Sequence, residues 1–202
     1  MHLWHVVTVW LLAFGLAPAS AAAEEPREAI LAGGCFWCVE ADFDAVPGVL
    51  ETISGYIGGT LDHPTYENHK PGGHLQAVRV RFDPAVIDYR GIVDVFWRTI
   101  DVTDDGGQFC DRGNAYRAAV FVASEAERAM ALASKRDAEA AFGAPFVTRI
   151  LDATTFWPAE EFHQDYYLKH PIRYQVYRFG CGRDRRIREI WGDEAFMGLA
   201  KN

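Results

Sequence analysis

The sequence predicts a single α/β (α+β) sandwich with the element order β-α-β-β-α-β. Three observations carry that reading. Short apolar or alternating segments have strand period, and apolar-faced segments between them have helix period. Glycine and proline clusters separate the segments at their junctions. The chain has 202 residues, 50% hydrophobic and 24% charged, which suits one globular domain. Disorder, collagen and coiled coil are excluded as the main structure. The formal net charge of −8 argues against a nucleic-acid partner.

Residues 28–32, Glu-Ala-Ile-Leu-Ala, predict a short buried strand that Gly33-Gly34 ends. Residues 36–45 predict a helix, stopped by Pro47-Gly48. The β-branched and aromatic residues of 49–57 predict a second strand. From Gly58 to Gly73 no period is visible, and a loop of that length is usually functional or disordered. Over 77–82, Val78, Val80 and Phe82 alternate with Arg79 and Arg81, a strand with one buried face. Residues 89–100 put Ile92, Val93, Phe96, Trp97 and Ile100 on one helical face. A glycine-bearing loop, Asp101 to Asn114, follows. Residues 116–123 are nearly continuously apolar, as in a central strand. Glu125 to Phe142 predicts a helix with Ser124 as its N-cap. This order is that of the ferredoxin-like split βαβ arrangement. Extra elements follow: a short strand at 147–151, a helical turn or helix at 159–169, and a helix from Asp184 to Trp191. They lie in an otherwise irregular C-terminal tail.

Residues 1–23 contain no Lys, Arg, Asp or Glu. An apolar run from Leu3 to Ala17 leads into Pro18-Ala19-Ser20-Ala21-Ala22-Ala23, the pattern of a cleaved signal peptide. A retained membrane anchor is the other reading, although the run is shorter than the ~20 residues a span needs. Residues 24–202 then form one domain, exported and expected in the periplasm. Export places the four cysteines, Cys35, Cys38, Cys110 and Cys181, in an oxidising compartment.

Cys35 follows two glycines at the start of a helix. Unpaired N–H groups and the helix dipole there favour negative charge, which predicts a lowered thiol pKa. Phe36 and Trp37 can wall the sulfur. Equally, Cys35 can be a small buried residue between core aromatics. Cys35-Phe36-Trp37-Cys38 is a C-x-x-C, the spacing of thiol–disulfide exchange. A zinc ribbon needs a second pair, and Cys110 and Cys181 are 71 residues apart, so no metal is expected. His63, His69 and His74 lack ligand spacing and read as solvated or supporting groups.

Several ordered motifs resemble the A-type peptide methionine sulfoxide reductase family. Gly34-Cys35-Phe36-Trp37 with Val39-Glu40 is similar to its signature. The segments Ser54 to Gly59, Pro64-Thr65-Tyr66 and Gly73-His74 through Ala77-Val78 resemble its later motifs. So do Asp111, Gly113, Tyr116 and Arg117, and His163-Gln164-Asp165-Tyr166-Tyr167. The resemblance spans roughly residues 28–175 and implies an α/β sandwich. It implies reduction of methionine-S-sulfoxide, free or in oxidised proteins, with no bound cofactor and an external thioredoxin-like dithiol as reductant. Cys35 would attack the sulfoxide sulfur and become a sulfenic acid, which a second thiol would resolve to a disulfide. Phe36 and Trp37 would hold the methyl group. Tyr66 and Tyr116 would donate hydrogen bonds to the oxygen, and Asp111 would hold the polar pocket or a water.

One position departs from the pattern. Gln76 stands where the family has a proton-donating glutamate, and an amide does not readily release a proton. Asp111, a tyrosine or water would then supply it. Cys181, in Gly180-Cys181-Gly182, is the favoured resolver because a flexible tail can swing to Cys35, with Cys38 second. Cys110 has no assigned role. Two other functions stay open: a general thiol–disulfide oxidoreductase, and a catalytically weakened methionine-binding module. No oligomer surface is visible in the sequence, so a monomer is expected.

Overall fold

The computed structural model describes residues 24–200. The proposed signal peptide therefore lies outside the described residues. Among the described residues no helix is long and apolar enough to cross a membrane.

The expected strand order is present. β1 (Arg27–Ala32) leads to α1 (Phe36–Phe43), β2 (Val49–Ile57), β3 (Leu75–Phe82), α2 (Tyr89–Trp97), β4 (Gly107–Gln108), β5 (Asp111–Arg112) and β6 (Ala119–Val122). The long helix α3 (Glu125–Phe142) is capped by the Ser124 side chain and ended by Gly143 in the left-handed conformation. β7 (Arg149–Asp152) and β8 (Trp157–Pro158) add edge strands. The main sheet has the order β7-β6-β1-β3-β2-β8. β1 therefore lies between β3 and β6, antiparallel to both, with Leu31 opposite Val78 and Val120.

Period-two patterning decides which residues enter which core. Ala29 and Leu31 of β1, Val78, Val80 and Phe82 of β3, and Val120 and Val122 of β6 face the helices. There they meet Phe36, Val39 and Phe43 of α1 and Ile92, Phe96 and Trp97 of α2. Alternate residues Ala32, Ile57, Leu75, Ala77, Ala119 and Phe121 form a smaller cluster under Phe156 and Leu151. Burying each large apolar side chain contributes roughly 1.5–3 kcal/mol.

Two sequence expectations need correction. The 101–114 loop contains the β4–β5 hairpin, and the strand expected over 116–123 narrows to 119–122 behind a 3-10 turn at Asn114–Tyr116. The tail is not irregular. α4 (Tyr166–Lys169), α5 (Pro171–Cys181) and α6 (Arg183–Trp191) follow one another closely. Pro171 starts α5, and Gly182 turns the chain at φ +71° between α5 and α6. Cys181 is the last residue of α5, not part of a swinging segment.

Candidate active site

The turn between β1 and α1 admits only glycine. A side chain at position 33 would meet Ile100, Val39 and Phe96 at 3.0–3.1 Å. At position 34 the backbone has φ +90°, and a Cβ would lie 2.6 Å from Gln108 Cβ. Cys35 is the N-cap of α1, and its carbonyl accepts from the N–H groups of Cys38 (3.1 Å) and Val39 (3.3 Å).

Cys35, Phe36, Trp37, Tyr66, Gln76, Asp111, Tyr116 and Tyr177 line a small cavity of about 50 Å³. Seven of these eight are the site residues expected from the sequence; Tyr177 is the addition. Wider clefts lie beside α5 and α6, lined by Arg178, Asp184 and Arg188, and hold no cysteine. Cys38 lies under the cavity, packed with Cys35 and Tyr174. Cys181 is elsewhere in the network: it forms a disulfide with Cys110. Its sulfur is 4.0 Å from Asp111 Oδ2 and accepts from the Cys110 N–H at 3.2 Å. Cys181 thus has no free thiol in this state. The only free thiols among the described residues are Cys35 and Cys38.

The protonation of this pair differs from the helix-start expectation. Burial pushes the Cys35 thiol well above its ordinary range, and its hydrogen bond to Cys38 adds to that rise. Cys38 is lowered, chiefly because Cys35 donates to it, with help from the Arg183 and Arg178 charges. Desolvation outweighs the helix terminus at Cys35, so of the two thiols Cys38 ionises the more readily.

The walls are held by neighbours far apart in sequence. Trp37 Nε1 donates to His163 Nδ1 at 3.1 Å, and its ring stacks on Tyr166 with centroids 3.7 Å apart. Glu160 fixes the loop that carries Tyr66: Oε1 accepts from Tyr66 N–H and Oε2 from the Tyr56 hydroxyl, each at 2.9 Å. Gln164 clamps Ser54, accepting from its N–H at 2.8 Å and donating to its carbonyl at 3.0 Å. Tyr66 donates to Tyr116, and burial raises the Tyr66 hydroxyl to about 12. Tyr177 donates to Asp111 and lines the cavity beside Cys35. Burial raises the Asp111 carboxyl above its ordinary value, against the Tyr177 hydrogen bond that lowers it. Glu40, one turn further along α1, accepts from Asp165 N–H at 3.1 Å, and burial raises its carboxyl to about 8.

Gln76 is 1% exposed and bridges two elements. Its Oε1 accepts from Phe36 N–H at 3.2 Å, and its Nε2 lies 3.5 Å from His69 Nε2. His69 and His74 are buried, at 0% and 1% exposure, so of the two readings, solvated or supporting, the supporting one holds for them. The sequence shows no sign of a site role for His69, carries His163 only within a motif, and does not single out Glu160 or Tyr177. The last three lie in the segment after β8, which only the fold brings to the cavity. A free-standing signal for Tyr177 exists in hindsight: with Tyr174 and Cys181 it marks one face of α5.

Comparison with known proteins points one way. A family model described as peptide methionine sulfoxide reductase matches residues 27–195. The chain is 55% identical to peptide methionine sulfoxide reductase MsrA 2 of Rhizobium meliloti (strain 1021) over 187 residues, 93% of each protein. It is 47% identical to a protein of the same name from Caulobacter vibrioides, over 90% of this chain and 94% of that one. Among solved structures, reduced Mxr1 from Saccharomyces cerevisiae superposes with a TM-score of 0.68 at 27% identity. The match covers 72% of this chain and 86% of the yeast chain.

Proposed function

The chain belongs to the peptide methionine sulfoxide reductase family, and from that premise we propose that it reduces the S epimer of methionine sulfoxide at Cys35. Thiol-dependent sulfoxide reduction is the activity of the family; the epimer, the residue roles and the setting are this proposal. The observation that carries it is the cavity itself. One thiol, one aromatic wall and four hydroxyl or carboxyl groups converge there.

The sulfoxide methyl lies against Phe36 and Trp37, and its oxygen faces Tyr66, Tyr116 and the amide of Gln76. Cys35 passes its proton to Cys38, to which it is already hydrogen-bonded, and attacks the sulfoxide sulfur as a thiolate. The oxygen needs a proton as its bond to that sulfur breaks. Asp111 is the best-placed source. Burial makes its carboxyl easier to protonate than an exposed one, and Tyr177 holds it at the cavity. Methionine leaves as the thioether, and Cys35 keeps the oxygen as a sulfenic acid. Cys38 then attacks that sulfur, water leaves, and a Cys35–Cys38 disulfide remains. A dithiol restores both thiols by exchange and becomes a disulfide itself.

Cys38 replaces Cys181 as resolver in this account because Cys181 is joined to Cys110 at the end of a helix. The α1 N-terminus makes the pairing feasible: Cys35 is the N-cap, with ψ 121°, so the two sulfurs are not both on regular helix. Cys35 and Cys38 are 7% and 2% exposed, too buried for a protein reductant to reach directly. Cys110 is exposed, and its disulfide touches Asp111 of the same cavity. Electrons then enter at Cys110–Cys181, which frees Cys181 to exchange with the inner pair. Yeast Mxr1 has been solved in complex with Trx2; a thioredoxin-like dithiol protein is the reductant proposed here. The pattern of residues 1–23 supports export to the periplasm and repair of exported proteins there.

The order of disulfides is testable in a single turnover. Reduced protein, alkylated at no site, is mixed with excess blocked methionine sulfoxide and no reductant, then digested and analysed by mass spectrometry. The expected outcome is close to one methionine per chain for the first event, with a Cys35–Cys38 peptide as the earliest product. A Cys35–Cys181 peptide appearing first would return the resolving role to Cys181.

A further inference from the structure

The departure from the family pattern at Gln76 has a structural partner, His69. We infer that His69 is a positioning residue that locks the Gln76 amide with an N–H aimed at the substrate oxygen. The inference rests on the reductase reading of the site and deepens it by naming what replaces the missing carboxyl group.

The hydrogen-bond chain fixes the orientation without ambiguity. His69 Nδ1 is 2.8 Å from the Tyr66 carbonyl oxygen, which can only accept, so Nδ1 carries the ring proton. In the neutral ring Nε2 is then a bare acceptor, and the group 3.5 Å from it must donate. That group is Gln76 Nε2. At the other end of the amide, Oε1 accepts from the Phe36 N–H at 3.2 Å. The two contacts agree. A flipped amide would set its NH2 against the Phe36 N–H and its oxygen against a ring lone pair, two mismatches in a site where Gln76 and His69 are 1% and 0% exposed. With one amide hydrogen directed at His69, the other remains for the cavity, which Gln76 lines.

The loop is built to hold this ring. His69 N–H donates to the Thr65 carbonyl and His74 N–H to the His69 carbonyl, each at 2.9 Å. Tyr56 of β2 stacks on the imidazole with centroids 4.9 Å apart, and the Tyr66 ring lies 5.5 Å away. The titratable groups facing His69 are Tyr56 from β2, Tyr66, Lys70 and His74 from the loop, and His163 from a second 3-10 turn, Glu161–His163. Burial lowers the imidazole below its ordinary value of 6.5, and Lys70 and His74 push the same way. The ring is thus neutral under ordinary conditions. Protonation would turn the bare Nε2 into a donor and drive the amide to flip, withdrawing the N–H from the substrate.

Two measurements test this on the full chain. In the isotopically labelled, substrate-free protein, the His69 ring nitrogens should report the Nδ1–H tautomer. The Gln76 side-chain NH2 signals should move with the same midpoint as His69, on the acid side of 6.5. Gln76 signals that stay fixed while His69 titrates would overturn the inference. This readout needs no turnover, so it stands apart from the reductase proposal, which would fail instead on an inactive wild type. In kinetics, His69→Leu should lower kcat roughly tenfold in the wild-type background and change little on top of Gln76→Ala. His69→Gln, which offers an acceptor that does not titrate, should recover kcat and remove the acid-side loss. Equal losses from His69→Leu in both backgrounds would mean that the ring acts only as packing.

Discussion

Cys35→Ser is expected to abolish sulfoxide reduction, with kcat falling roughly 10³-fold or more, while the fold is kept. A serine hydroxyl in the same buried position is a far weaker nucleophile, and an oxygen in place of the sulfur cannot take the sulfoxide oxygen as a sulfenic acid. Losses of this size are typical when the group that forms the covalent bond is removed. Cys38→Ser should behave differently. The first methionine is still released, because attack needs only Cys35, but the sulfenic acid accumulates and turnover stalls. Methionine release and a sulfenic-acid-trapping reagent, measured on both variants, separate the two roles. Comparable first-event yields from Cys35→Ser and wild type would remove Cys35 from the chemistry.

The second large effect concerns Arg183, a charged residue 1% exposed in the middle of the molecule. Its Nη1 donates to the Gly33 carbonyl at 3.0 Å and its Nη2 to the Thr99 carbonyl at 2.7 Å. Nε lies 3.6 Å from Asp42, and the guanidinium sits 4.7 Å above the Phe109 ring. One side chain from α6 therefore ties the β1–α1 turn to the end of α2 and adds positive charge under Cys38. Arg183→Met keeps the apolar stem but leaves two buried carbonyls without donors. Asp42 retains only the 2.8 Å pair with Arg178. The expected loss is about 3–5 kcal/mol of stability, read as a lower urea midpoint. Arg183→Lys should fall between, because one ammonium cannot span both carbonyls in the fork geometry of a guanidinium. A wild-type midpoint for Arg183→Met would show that the turn is held by packing alone.

The sheet was legible because its strands obey simple rules. The alternation of Val78, Val80 and Phe82 with two arginines, the apolar run ending at Val122, and the glycine pair after Ala32 each specify an element locally. The C-terminal helices were not legible for a physical reason. The apolar side chains of α5, namely Ile172, Val176 and Phe179, are 69–89% exposed, whereas its inward face is Tyr174, Tyr177 and Cys181. A hydrophobic pattern that points to solvent gives no guide to packing. In the cavity, the residues carried by short motifs came together as expected. Tyr177 and His69 did not stand out, because their importance lies in what they touch across the fold. The Cys35 pKa went the other way from the local argument: a helix start favours the thiolate, but burial at 7% exposure disfavours it more strongly. Cys110, unassigned from the sequence, proved to be the partner of Cys181.

The most direct test offers the reduced protein separate S and R epimers of a blocked methionine sulfoxide, with dithiothreitol in excess, and follows each by chiral chromatography. The account predicts steady loss of the S form to the thioether and an unchanged R form. Consumption of the R form instead, or no thioether from either epimer, would contradict it.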